Sequence, residues 1–437
     1  MKSGLARGLY STASYLLTPI ALIRLGVKSR SNSGYRHHLK ERFGYVASPQ
    51  RRAKHIHFHA VSVGEVLAAA PMVKLLLDNH EDLSISVSVT TPTGREQANK
   101  HLSDLAQISF LPFDNSGAVN RFLQRIQPDL LVMVETEIWP NLIYQCRLNN
   151  IPTLLMNGRM SEKSAQNYQR MSSLTKVTMS RINLVLAQFE DDAQRFIKLG
   201  CAADSVKTLG NLKFDAFLSD QLRQSAKELR DGWKIASRPV WIAASTHPGE
   251  EQSILEVHSQ LIQKTPELLL ILVPRHPERR PEIESLVSTQ GLSLVVRSDL
   301  DKESVVNEDI SVLLVDTLGE LNLFYGLSDL AFVGGSLVPH GGHNPIEPAL
   351  WDLPVLTGMH CHNFMEITKQ LVAVGSLRQC QDSESLRLAF SDLFANAKAR
   401  EDLGSLSRQV IANNQGSLER QKAQIERLLC EPKEIAL

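Results

Sequence analysis

The residues equipped for chemistry gather in a few short stretches. The longest is Phe332-Val-Gly-Gly-Ser-Leu-Val-Pro-His-Gly-Gly-His-Asn-Pro-Ile-Glu347. The apolar run Leu330 to Val333 reads as a buried strand, and it breaks into two glycine pairs, Gly334-Gly335 and Gly341-Gly342. Glycine lets backbone N–H groups approach a ligand closely, and a helix N-terminus favours an anion. Asn344 and Pro345 predict a helix start, with Asn344 as N-cap and Pro345 in the first helical position. Ile346 follows, and Glu347 falls in the first turn, where a carboxylate can accept bonds from sugar hydroxyls. Phosphate plus ribose suits such a site. The other reading is a strand-loop-helix turn in which Glu347 serves only the helix dipole.

Four more stretches carry charge at the ends of apolar runs. In Val61-Ser-Val-Gly-Glu65, Gly64 permits a tight turn and Glu65 opens a helix, where its carboxylate should stay ionised, as a general base must. Ser62-x-x-Glu65 is also a capping box, and both readings stand. Glu135 and Glu137 follow the apolar run ending at Val134 and could orient a substrate or hold a cation. No neighbouring His or Asp completes a ligand set there, so no metal is expected. Lys213, in Gly-Asn-Leu-Lys-Phe-Asp215, is placed on a loop to neutralise a phosphate or carboxylate, or else is a solvated lysine. Ile271-Leu-Val-Pro-Arg-His276 delivers Pro274, Arg275 and His276 to a strand end, and arginine suits bidentate phosphate recognition. Leu318, Gly319 and Glu320 make a similar glycine-carboxylate turn. His55, His57 and His59 alternate along one strand face and, like His360 and His362, lack zinc spacing, so they read as structural. No Walker loop, nucleophile elbow or nucleic-acid motif is present, so no nucleic-acid partner is expected.

These residues need a frame that brings strand ends together. The chain has 437 residues, 43% hydrophobic and 22% charged, enough for two or three globular domains. Short apolar runs alternate with helical stretches from His55 to Ala187 and again from Val240 to Leu356, which implies parallel βαβ units in two halves. A polar helical stretch without a strand, about 214–238, separates them. The charged stretches lie at strand ends in both halves, where open parallel sheets bind ligands, and this predicts one interdomain cleft. The expected domains are 1–30, a membrane-associating segment; 31–215, an acceptor domain; and 216–437, a nucleotide-sugar domain with terminal helices. Five scattered cysteines lack paired metal spacing and suit a reducing compartment.

Net charge is zero, yet residues 1–54 carry eleven Lys/Arg against the single acid Glu41. The same segment holds an uncharged run, Gly8 to Ile23, that as a helix reaches only ~24 Å, short of the ~30 Å hydrocarbon core. A helix lying in the membrane face, basic residues on the headgroups, fits both features. A soluble helix packed on its own domain and a single membrane span are the alternatives.

Taken together, Ser-Val-Gly-Glu65, Glu-Thr-Glu-Ile-Trp-Pro-Asn141, Gly-Asn-Leu-Lys-Phe-Asp215, Ser-Thr-His247, Pro-Arg-His-Pro-Glu-Arg279 and Gly-Gly-Ser-Leu337 with Gly-Gly-His-Asn-Pro-Ile-Glu347 resemble the 3-deoxy-D-manno-octulosonic acid (Kdo) transferases of lipopolysaccharide synthesis, in family order. The resemblance implies an α/β GT-B glycosyltransferase: two Rossmann-like parallel-sheet domains facing a cleft, with a final helix packing back across the hinge. It implies CMP-Kdo as donor, a lipid A precursor as acceptor, the cytoplasmic face of the inner membrane as the place, and no cofactor or metal. By position it implies Glu65 as base, Glu135 and Lys213 as transition-state stabilisers, and CMP contacts at Pro274, Arg275, Leu318, Gly319, Glu320, Asn344, Pro345, Ile346 and Glu347. Leu318 stands where methionine is common in the family, and Pro348 follows Glu347. An epimerase acting on nucleotide sugars, or a non-catalytic nucleotide-sugar binding protein, would share the two-half fold without needing the basic segment or Glu65.

Overall fold

The computed structural model describes residues 2–30, 32–301 and 304–430. Its contacts divide the chain into two units: one runs to Asp215 and resumes at Gln415, the other is Ala216–Asn414. The first crossing falls at the expected boundary. The second unit, however, ends at Asn414 rather than at 437, because the last helix, Ser417–Cys430, packs on the first unit. It buries Ile425 in that unit's core, and the Asp215 carboxylate accepts the Gly416 and Leu418 N–H groups at 2.5 and 2.7 Å.

In the first unit β1 (Lys54–His59), β2 (Leu83–Val89), β3 (Ala106–Phe110), β4 (Leu130–Val134), β5 (Thr153–Gly158), β6 (Leu184–Ala187) and β7 (Val206–Thr208) form one sheet in the order β3-β2-β1-β4-β5-β6-β7. In the second, β8 (Val240–Thr246), β9 (Leu269–Pro274), β10 (Leu294–Val296), β11 (Val312–Leu314), β12 (Leu330–Val333), β13 (Val355–Thr357) and β14 (Leu377–Gln379) form the order β10-β11-β9-β8-β12-β13-β14. Every pairing is parallel. Parallel sheets are covered on both faces, so their strands are apolar throughout. Val132 and Val134 face one core while Leu131 and Met133 face the other; Leu270 and Leu272 oppose Leu269 and Ile271 in the same way. Strand order reverses between β1 and β4, and between β8 and β12. Each reversal opens a crevice at the carboxyl edge of its sheet.

One core face is polar. His55, His57 and His59 are fully buried opposite Ser84, Ser86 and Ser88 on β2, and their ring nitrogens bond the serine hydroxyls at 2.7–2.9 Å. Burial lowers the His55 pKa to about 4 and that of His57 well below its ordinary value.

Helix α1 (Lys2–Lys28) is longer than the Gly8–Ile23 run and continues through Pro19. Its polar side faces the protein: Tyr10 donates to Asp114 at 2.9 Å, Ser11 bonds Ser116 at 2.9 Å, and Gly117 N–H donates to Tyr15 at 2.7 Å. Leu5, Leu9, Leu16, Ile20, Ile23 and Val27, spaced to share one face, are exposed, Leu16 by 72%. No helix among the described residues is long and apolar enough to cross a membrane.

Candidate functional site

The first unit gathers carboxylates at its switch point. Helix α2 (Val63–Asn79) starts just past β1, and Glu65 is buried in its first turn. The capping box does not form: the Ser62 hydroxyl donates to Glu65 Oε1 at 2.8 Å instead of receiving a helix N–H, and Glu65 Oε2 accepts the Val61 N–H at 2.6 Å. Nor is Glu65 held firmly ionised. Burial raises its pKa to about 7; the charges of Glu137 and Glu135 add to this, against the pull of its two hydrogen bonds. The helix N-terminus is outweighed by desolvation.

Glu135 follows β4 with φ of 60°, a left-handed backbone for a residue that has a Cβ, pinned by its N–H bond to Met156 O at 2.9 Å. Glu137 accepts the Trp139 indole N–H at 2.8 Å and lies 3.6 Å from the buried His59 ring. The three glutamates therefore converge at the gap between β1 and β4. Lys213 occupies a short turn, Leu212–Asp215, at the same edge of the sheet. That turn is fixed from beneath by amides: Leu212 N–H donates to Asn157 Oδ1 at 3.1 Å, Asn211 to Gln188 at 3.0 Å, and Gln421 of the last helix accepts Asn157 N–H at 2.9 Å and donates to Gly210 O at 3.0 Å.

The second unit gathers its candidates at the other switch point. Arg275, exposed just past Pro274, donates its N–H to Thr246 O at 2.9 Å. Gly319 takes φ of 87° and leaves Leu318 81% exposed. Glu320 is paired with Arg297 at 2.9 Å and bonded by the Thr317 hydroxyl. Asn344 accepts the Ile346 N–H at 3.1 Å and donates to Glu347 at 3.1 Å. The helix here is only Ile346–Leu350, and Pro345, not Asn344, is its cap. The asparagine still closes the turn, from one residue further out.

The glycine loop is built otherwise than its sequence suggests. The N–H groups of Gly335, Ser336 and Leu337 are not open to a ligand: all three donate to the fully buried carboxylate of Glu250 at 2.6–2.9 Å, as does His247 N–H at 2.9 Å. Glu250 lies 85 residues away from Gly335 in sequence, and only its place three residues after His247 hints at a turn. Beside the loop, His247 and His343 share a hydrogen bond of 2.9 Å and His340 stacks on His247 at 4.1 Å. Burial, with the neighbouring His and Arg charges, lowers His247 and His343 to about 4, so both are neutral at pH 7. Among the described residues no cluster of three or more His, Cys, Asp or Glu could hold a metal ion.

Comparison with known proteins decides between the chemistries this frame allows. A family model described as 3-deoxy-D-manno-octulosonic-acid transferase matches residues 37–216. A 3-deoxy-D-manno-octulosonic acid transferase of Haemophilus influenzae is 40% identical over 95% of this chain and 96% of its own. The chain belongs to the Kdo transferase family. It is therefore a glycosyltransferase. A Bordetella pertussis relative of the same name is 32% identical over 95% of this chain and 98% of that one. Among solved structures, a UDP-GlcNAc 2-epimerase from Neisseria meningitidis aligns with a TM-score of 0.56 over 86% of this chain and 99% of its own. At 14% identity that likeness is one of fold, two Rossmann-like units of the GT-B class, and it lends nothing to an epimerase reading.

Proposed function

We propose that this protein moves Kdo from CMP-Kdo to a hydroxyl of a lipid A precursor, with inversion, at the cytoplasmic face of the inner membrane. The observation that carries the mechanism is Glu65, a buried carboxylate raised to about 7 beside two others at a switch point. Glu65 takes the proton of the acceptor hydroxyl as that oxygen bonds the anomeric carbon of Kdo. The bond from that carbon to the CMP phosphate breaks in the same displacement, and CMP leaves with the electron pair. A base near neutrality combines a usable ionised fraction with real proton affinity.

Glu135 offers negative charge to the oxocarbenium-like transition state, and Lys213 offers positive charge to the departing phosphate. The second unit holds CMP through Pro274, Arg275, Leu318, Gly319, Glu320, Asn344, Pro345, Ile346 and Glu347. With the Gly335–Leu337 amides engaged by Glu250, Arg275 takes a larger share of the phosphate. Glu320 spends one partner on Arg297 and one on Thr317, and a carboxylate has about four acceptor positions, so it can still receive ribose hydroxyls. The exposed apolar face of α1 and the basic residues around it fit a helix lying in the membrane surface.

The test is a mass spectrum of the acceptor after incubation with freshly generated CMP-Kdo, run for the native protein and Glu65→Gln. Added Kdo mass with the native protein, lost in the variant while CMP still binds, supports the reading. An unchanged acceptor with intact donor and bound CMP overturns it.

A further inference from the structure

The docking of α1 through hydroxyls leaves an open groove of about 710 Å³ between it and the helix Ser172–Met179. We propose that this groove receives an acyl chain of the lipid acceptor. The inference rests on the reading of this protein as a transferase acting on a lipid. Leu9, Ala13 and Leu17 form one wall, Met171 and Leu174 the other, and Trp139 also lines it. Ala6, Ala13 and Ala21 recur at seven and eight residues along α1, which sets small side chains between the bulkier Leu9, Tyr10 and Leu17. The volume falls within the ~300–1,000 Å³ usual for small-molecule sites, and apolar lining of this kind gains from excluding water.

Three features select an acyl chain over another occupant. The groove reaches Trp139, whose indole donates at 2.8 Å to Glu137, one of the carboxylates that follow β4. A chain lying there brings its polar head to the carboxylates. Along its length the groove adjoins the outward apolar stripe of α1, from which a lipid tail would enter without crossing water. Arg170 lines the groove, a cation suited to pair with an anionic headgroup. A second groove of about 410 Å³ shares Tyr10, Met171 and Leu174 with the first, room for a neighbouring chain of the same molecule.

Ala13→Trp and Ser173→Trp would fill the groove from opposite walls, and both positions are exposed, so the fold tolerates either. Transfer is measured with the acylated acceptor and with its deacylated disaccharide, alongside sedimentation with anionic vesicles. The expected result is a tenfold or larger rise in KM for the acylated acceptor alone, with vesicle binding unchanged. A second readout is quenching of Trp139 fluorescence by an acceptor with brominated chains, absent in Trp139→Phe. Equal effects on both acceptors, no effect on either, or loss of vesicle binding in parallel would overturn the groove while leaving the transferase intact. A native protein inactive on both acceptors would remove the functional reading itself, and the groove with it.

Discussion

Glu65 illustrates how surroundings rather than position set a residue's chemistry. Its place in the first turn of α2 argues for an ionised carboxylate, yet burial beside Glu135 and Glu137 moves it to about 7. A base must be deprotonated, so kcat/KM should rise with pH through about 7 and then level. Glu137→Gln removes a like charge while keeping an oxygen for Trp139, so the limb should shift to lower pH in a pH–rate profile. Glu65→Gln should lower transfer by about 10²–10⁴ with CMP affinity unchanged in calorimetry. Glu250 is the counterpart in the second unit. Glu250→Ala would leave four N–H groups without their acceptor, at a cost on the order of 3 kcal/mol or more. Chemical denaturation should show that loss, and CMP binding should fall with it as the Gly334–Leu337 loop loosens.

At the level of elements, much was legible. Each apolar run read as a strand is one, since strands covered on both faces must be apolar, and the polar stretch between the halves holds a helix, Asp220–Gly232. The two strands that gave no signal, β7 and β14, have three residues each and lie at sheet edges, where Val-Lys-Thr and Leu-Arg-Gln need no continuous apolarity. Lys213 follows β7, which gave no signal, whereas the other candidate site residues stood out because they follow strands. Glu250, the His247–His343 pair and the amides under Lys213 did not, because their partners are distant in sequence and local patterning cannot encode them. The histidine ladder on β1 was legible as structural, though its serine partners were not. His55 and His57 are depressed in the folded state, so below about 6.5 the unfolded chain binds more protons and stability falls as pH drops toward 4. His57→Gln should flatten that slope in thermal melts. The outward face of α1 makes a separate prediction: Leu16→Glu with Ile20→Glu should weaken binding to anionic vesicles by about 3 kcal/mol or more in sedimentation.

At the scale of the whole molecule the chain crosses between its units twice, near 215 and near 414. The last helix is part of the first unit's core through Ile425, and part of the Lys213 support through Gln421. Gln421→Ala should therefore lower kcat more than it raises the apparent Kd for CMP, whose proposed contacts all lie in the other unit. Steady-state kinetics beside CMP titration would separate the two. An equal loss in both would mean that the amide lattice serves overall stability instead.

The split first unit also has a consequence in time. The second unit is one continuous stretch and has all its residues once Asn414 is made, whereas the first waits for its closing helix. At ~5–20 residues per second, some 200 residues separate Asp215 from Gln415, a delay of roughly 10–40 s during synthesis. Through that interval the nascent first unit has a core face and an amide lattice still open, while the greasy stripe of α1 has already emerged. The part of the enzyme made first is thus the last to be finished.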